Sequence, residues 1–98
     1  MTVSKPPSFA RALRAVRSAK LLSQEDFALV SSRTHISALE RGIKKPTIGK
    51  VEELSAVCGV HPLTLLVLAY CRSGRRSEVE QVLSKVRSEI DGLADLKL

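Results

Sequence analysis

The chain has almost no aromatic side chains: two Phe, one Tyr and no Trp among 98 residues, 3% of the total. A core built without large rings must be aliphatic, and Ala, Leu and Val carry most of the 44% apolar share. Cysteine is nearly absent too. Cys58 and Cys71 form neither a disulfide framework nor a metal-ligand set. Both fall at apolar positions near helix ends and read as buried free thiols in a reducing cytoplasm. No apolar run reaches the length of a bilayer span, and no segment joins a basic face to bulky interfacial anchors, so no membrane role is expected. There is no glycine-rich phosphate loop, no metal-ligand spacing and no nucleophile with a recognisable base; His35 and His61 stand apart in different helices. The expected protein is not an enzyme and needs no cofactor.

Acid is missing from one end. The first carboxylate is Glu25, and the stretch before it is rich in Arg, Ser and Ala. That composition superficially fits an organelle transit peptide, but the same stretch supplies the first helix of the fold, and the targeting reading fails. Residues 1–50 hold ten Lys/Arg against three Asp/Glu, a net of +7, whereas residues 51–98 hold six against seven, a net of −1. A length of 98 residues allows one domain with a modest core. Its basic half has the charge footprint that a phosphate backbone attracts.

That half is organised around Ser23 to Arg41, SQEDFALVSSRTHISALER. It reads as two short helices joined by a polar turn. Ser23 is a good N-cap, with Asp26 as its acidic partner in the first turn. Phe27, Ala28 and Val30 supply the buried side of the first helix, and Ser31-Ser32 breaks it, because serine hydroxyls compete for backbone groups. In the second helix Ile36 and Leu39 face inward, leaving Arg33, Thr34, Ser37, Ala38 and Arg41 outward. A helix with one narrow buried edge and a small, polar, basic outer face suits a DNA major groove; an ordinary helical hairpin with a solvated face fits the same spacing.

Around this stretch the chain divides into an arm at residues 1–7, a domain at 8–71 and a helical extension at 72–98. Pro6-Pro7 keeps the arm extended. Ser8 caps a helix over residues 9–20, with Phe9, Leu13 and Val16 inward and Ala12 and Ala19 flanking. Its Arg11, Arg14, Arg17 and Lys20 form either a solvated basic face or a steering surface for DNA. Leu21-Leu22 is an apolar hinge. Gly42 ends the second paired helix, and Thr47 caps a helix over residues 48–58 whose inward side is Ile48, Val51, Leu54, Ser55 and Cys58. Gly59 closes that helix, and His61-Pro62 opens another. Leu63 to Ala69 is so apolar that it should be either the most buried element or half of an interface. Ser77-Glu78-Val79-Glu80 is expected to box the start of a last helix. There Val79, Leu83, Val86, Ile90 and Leu93 make a short heptad seam, with Val82 widening it and Gly92 weakening its end. The seam either folds back on the domain or pairs two subunits, the second being favoured; it is too short to pair without support from the globular part.

The set Leu39-Glu40-Arg41-Gly42, Lys44, Pro46-Thr47, Val51, Leu54, Cys58-Gly59-Val60, Pro62 and Leu65-Leu66, opened by Ser23-Gln24-Glu25, resembles the lambda-repressor-like helix-turn-helix family, closest to its xenobiotic-response-element (XRE) type of bacterial regulator. The likeness spans about residues 9–69. It implies an all-α fold, a five-helix DNA-binding domain followed here by an additional C-terminal helix, and sequence-specific binding of double-stranded DNA, usually as a homodimer. One departure concerns the turn. Val30-Ser31-Ser32-Arg33 is about two residues shorter than the family pattern and lacks its glycine, so either the first helix loses its last turn or the pair meets more tightly.

The resemblance also implies site roles. Gln24 would donate to a phosphate at a helix start. Ser32, Arg33 and Thr34 would open the recognition helix, about Ser32 to Arg41. Arg33 would take guanine O6 and N7, Thr34 or Ala38 a thymine methyl, and Ser37 a base edge. Ser32, Arg41, Lys44, Lys45 and Thr47 would bind backbone phosphates, with His35, at a position usually aromatic, adding a phosphate or packing contact. Glu40 would repel phosphate and is expected to be a partner inside the domain. The competing function is a helix-turn-helix scaffold used as a protein-interaction module, antitoxin-like or anti-regulator, whose last helix docks on a protein partner.

Overall fold

A computed structural model describes residues 7–93 and 96–98, so all of the arm but Pro7 lies outside the described residues. Among the described residues the regular structure is entirely helical: α1 (Phe9–Ala19), a 3-10 helix (Gln24–Phe27), α2 (Arg33–Glu40), α3 (Ile48–Cys58), α4 (Pro62–Ala69) and α5 (Arg76–Asp91). The first five make the expected five-helix domain, and α5 is the additional helix.

Each start has a local cause. The Ser8 hydroxyl accepts from the Arg11 N–H at 3.1 Å, Ser32 from His35 at 3.1 Å and Thr47 from Lys50 at 3.1 Å. His61 Nδ1 accepts from the Leu63 N–H at 3.0 Å, ahead of Pro62 in the first helical position. The ends are equally local. At Gly42 (φ 74°) the chain turns left-handed, and the next N–H, on Ile43, returns to the Ala38 carbonyl at 3.0 Å. Helix α1 closes with the same pair of bonds, Leu21 to Ser18 and Leu22 to Arg17, but Leu21 takes the left-handed position at φ 58°. The two residues of the expected apolar hinge therefore part: Leu21 is 93% exposed, while Leu22 packs against the core.

The core is aliphatic around a single buried ring. Leu13 and Val16 of α1, Phe27, Ile36 and Leu39 of α2, Val51, Leu54 and Cys58 of α3 and Leu65 of α4 form one cluster. Each large side chain buried here contributes about 1.5–3 kcal/mol. Helix α1 lies across α2 and α4, α3 packs on α4, and the 3-10 helix bridges α2 and α3. Cys58 and Cys71 are both buried free thiols, and burial raises both above the ordinary thiol range.

Several inward assignments are corrected. Ala28 lies just past the last residue of the 3-10 helix and is exposed, and Ala19, expected to flank the apolar side, is exposed at the end of α1. Ile48 is 81% exposed at the first position of α3. Helix α4 is not the most buried element: only Leu65 and Ala69 are buried, while Leu63 and Tyr70 stand open.

The last helix starts earlier than its sequence pattern suggests, and without the serine box. Arg75 occupies the cap position and makes no side-chain cap bond. Glu78 instead reaches back over the joint and accepts from the N–H groups of Arg72, Ser73 and Gly74 and from the Ser73 hydroxyl. Those backbone donors hold its carboxyl at about 2, well below the ordinary glutamate value. Beyond this anchor α5 buries no residue. Val79 and Val82 are half-buried, whereas Leu83, Val86, Ile90 and Leu93 are exposed. Helices α4 and α5 thus flank an apolar groove of about 550 Å³ between Leu63, Leu66, Val67 and Tyr70 on one wall and Leu83 and Val86 on the other. Among the described residues no single helix is long and apolar enough to cross a membrane.

Candidate nucleic-acid interface

The short turn resolves in favour of a lost helical turn. The first member of the pair is only the four-residue 3-10 helix Gln24–Phe27. Asp26 caps it: its Oδ2 accepts from the Ser23 N–H at 2.6 Å and from the Ser23 hydroxyl at 3.2 Å. Phe27 is its only buried residue, and its carbonyl accepts from both Val30 and Ser31 at 3.0 and 2.9 Å. Truncation leaves Leu29 101% exposed, because no helical turn remains to fold it inward.

Helix α2 then presents its beginning. Ser32, Arg33 and Thr34 are exposed, and His35 and Ser37 are half-buried. Ala38 is 7% exposed, which removes it from the base-reading set: it lies on the buried side with Leu39, and no base edge can reach it. Arg33 Nη1 lies 3.3 Å from Glu25 Oε1, an open pair between the two members of the motif. Such a pair is worth little in water and yields readily to a stronger acceptor. At the far end Arg41 Nε donates to the Ser37 carbonyl at 3.3 Å, and Lys44, Lys45 and Thr47 are exposed in the loop beyond.

Behind this surface lies a buried charge network. Glu40 is 3% exposed. Arg17 grips it with two bonds, Nε to Oε2 at 2.6 Å and Nη2 to Oε1 at 2.9 Å, and donates a third to the Leu22 carbonyl at 2.9 Å. Burial pushes the Glu40 carboxyl up. The hydrogen bonds from Arg17 and Gln24, together with the Arg17 and Arg14 charges, outweigh that and leave it below its ordinary value. Glu40 is the internal partner expected of it. Gln24 is placed differently from its expected role: Nε2 donates to Glu40 Oε1 at 3.0 Å, so its amide points inward rather than to a phosphate. Nor do the α1 cations act as one steering surface. Arg17 belongs to Glu40, and Arg11 Nη2 bonds the Cys71 carbonyl at 3.1 Å, leaving Arg14 and Lys20 exposed.

One contact had no sequence signal at all. Lys50 Nζ, on α3, donates to the Val30 carbonyl at 2.6 Å and pairs with Glu53 at 2.9 Å.

The arrangement is that of a helix-turn-helix domain: a capped second helix, locked from behind by Glu40 and followed by the exposed cations Arg41, Lys44 and Lys45. A family model described as helix-turn-helix matches residues 13–65, more than half of the chain, and the protein belongs to that family of XRE-type, lambda-repressor-like DNA-binding regulators. No curated protein and no solved structure matches the chain.

Proposed function

We propose that the protein is a homodimeric transcription regulator that acts in the cytoplasm and reads a two-fold operator. The observation that carries this reading is the face of α2. Arg33 and Thr34 are exposed at its start, Arg33 held only by its open pair with Glu25, Ser37 is half-open one turn on, and Arg41, Lys44 and Lys45 follow without a carboxylate partner among the described residues. Arg33, Thr34 and Ser37 read bases; Ser32, His35, Arg41, Lys44, Lys45 and Thr47 position the duplex through its phosphates. The Ser32 and Thr47 oxygens are occupied by capping, but each hydroxyl keeps its proton to donate.

The dimer is supported by the exposed seam Leu83, Val86, Ile90 and Leu93 beside the apolar groove on α4. A contiguous open apolar face marks an association surface, and a two-fold contact lets one patch serve both subunits. The same face favours the second reading, docking of a different protein.

Selection on random-sequence DNA tests both. The expected product is an inverted repeat with half-sites about one helical turn apart. Arg33→Ala should cost about 1–3 kcal/mol on that site and blur a single base position. An unblurred motif takes Arg33 off the reading surface. A lone half-site points to a monomer whose apolar face belongs to another protein. Lys44→Ala should weaken binding to every sequence alike and reduce the slope of log affinity against log salt by about one unit. An unchanged slope means that Lys44 contacts no phosphate.

A further inference from the structure

We infer that Lys50 is a positioning residue that sets how sharply this protein discriminates its DNA site, although it contacts no DNA; the inference rests on the DNA-reading role of α2. The motif turn lacks the glycine and the length of its family pattern, so something else must hold the chain where it leaves the 3-10 helix. The backbone provides part of this, since the Phe27 carbonyl takes the N–H groups of Val30 and Ser31. The Val30 carbonyl, two residues before the Ser32 cap, takes the Lys50 ammonium at 2.6 Å across 20 residues of sequence. A charged donor bound to a partly buried carbonyl is a strong hydrogen bond. Glu53, one turn along α3, holds the ammonium from the other side at 2.9 Å.

The result is a strut from α3, itself fixed in the core by Val51 and Leu54, to the backbone that leads into Ser32 and Arg33. Base reading tolerates little displacement, because a bidentate arginine contact depends on angle as well as distance. Fixing the start of α2 therefore favours the correct site over random DNA. The ammonium is also distinguished from its neighbours by exposure. The Lys50 side chain is 22% exposed and engaged on two sides, whereas Lys44 and Lys45 are open. Lys50 thus belongs to the frame of the interface and not to its phosphate contacts.

The two roles leave different marks. The full chain, Lys50→Met and Lys50→Arg are each titrated, over a salt series, with the selected site and with random-sequence duplex of equal length. Lys50→Met should lose roughly tenfold in the ratio of specific to random binding, the size of one hydrogen bond to a charged donor, with its salt slope unchanged. Lys50→Arg should restore most of that ratio. Amide exchange at Ser31 to His35, without DNA, should quicken in Lys50→Met and not in Lys50→Arg. A ratio equal to that of the unmodified chain overturns the proposal. So does a slope reduced by about one unit, which would make Lys50 a direct phosphate ligand. If Lys50→Met does not fold, Lys50→Gln carries the same comparison with a shorter, neutral side chain. If the unmodified chain selects no site, the DNA reading itself fails; exchange at Ser31 to His35 then decides alone whether Lys50 holds the turn, and unchanged exchange overturns it.

Discussion

Arg17→Met is expected to destabilise the domain by about 3–5 kcal/mol at neutral pH, enough to unfold much of a protein whose whole stability is about 5–15 kcal/mol. The size follows from asymmetry of burial. The Glu40 side chain is 4% exposed and that of Arg17 20%. Removing the arginine strands a carboxylate that cannot rehydrate, with only the Gln24 amide left as a partner. Glu40→Gln should cost less, because the guanidinium left behind lies nearer to water. The effect of pH separates this mechanism from simple loss of packing. In the native protein the Glu40 carboxyl lies below its ordinary value, so its stabilisation is present above the unfolded value and is lost as pH falls through the folded one. In Arg17→Met burial is left as the dominant influence, the carboxyl rises, and acid relieves the variant by neutralising it. Urea unfolding by far-UV circular dichroism at about pH 7 and about pH 4 should therefore show the difference narrowing in acid. A difference that stays constant with pH would trace the loss to packing alone.

This network marks a limit of sequence reading. What was legible is what is local. Ser8, Thr47, His61-Pro62, Gly42 and Gly59 set helix ends within a few residues of themselves, so α3 falls on residues 48–58 as read and α1 stops one residue short of the expected end. The negative charge of Glu40, which would repel phosphate, pointed to an internal role, but the identity of its partner depends on how α1 crosses α2, and nothing in the spacing of Arg11, Arg14 and Arg17 singles one out. Alanine gives little signal of side: Ala38, expected on the outward face, is buried, while Ala28, expected inward, and Ala19, expected to flank the apolar side, are exposed. Glu78 was legible as a helix-start acid, but its hold on Arg72, Ser73 and Gly74 depends on the path of the joint. Lys50 is the extreme case, since its acceptor is a backbone carbonyl that any residue at position 30 would present.

Phe27→Ala should cost about 3–5 kcal/mol for the same reason that the first helix of the pair was hard to read. A four-residue 3-10 helix has little stability of its own, since nucleating a turn orders several residues for few hydrogen bonds. Phe27 is fully buried, the only buried side chain of a 3-10 helix that packs on both α2 and α3. Truncation leaves a cavity of ring size under the motif while α1, α3 and α4 keep their shared contacts through Leu13, Leu54 and Leu65. DNA binding should consequently fail at lower urea than helical circular dichroism does, because the turn leading into Ser32 loosens before the rest. Leu29→Ser, two residues on, is the matched control: its side chain is fully exposed, and its stability change should stay within about 0.5 kcal/mol. Equal, small losses in the two variants would mean that the 3-10 helix is held by its backbone bonds and the Ser23–Asp26 cap. A large loss in Phe27→Ala alone would place the stability of the DNA-reading half on one aromatic ring, in a chain that has only three.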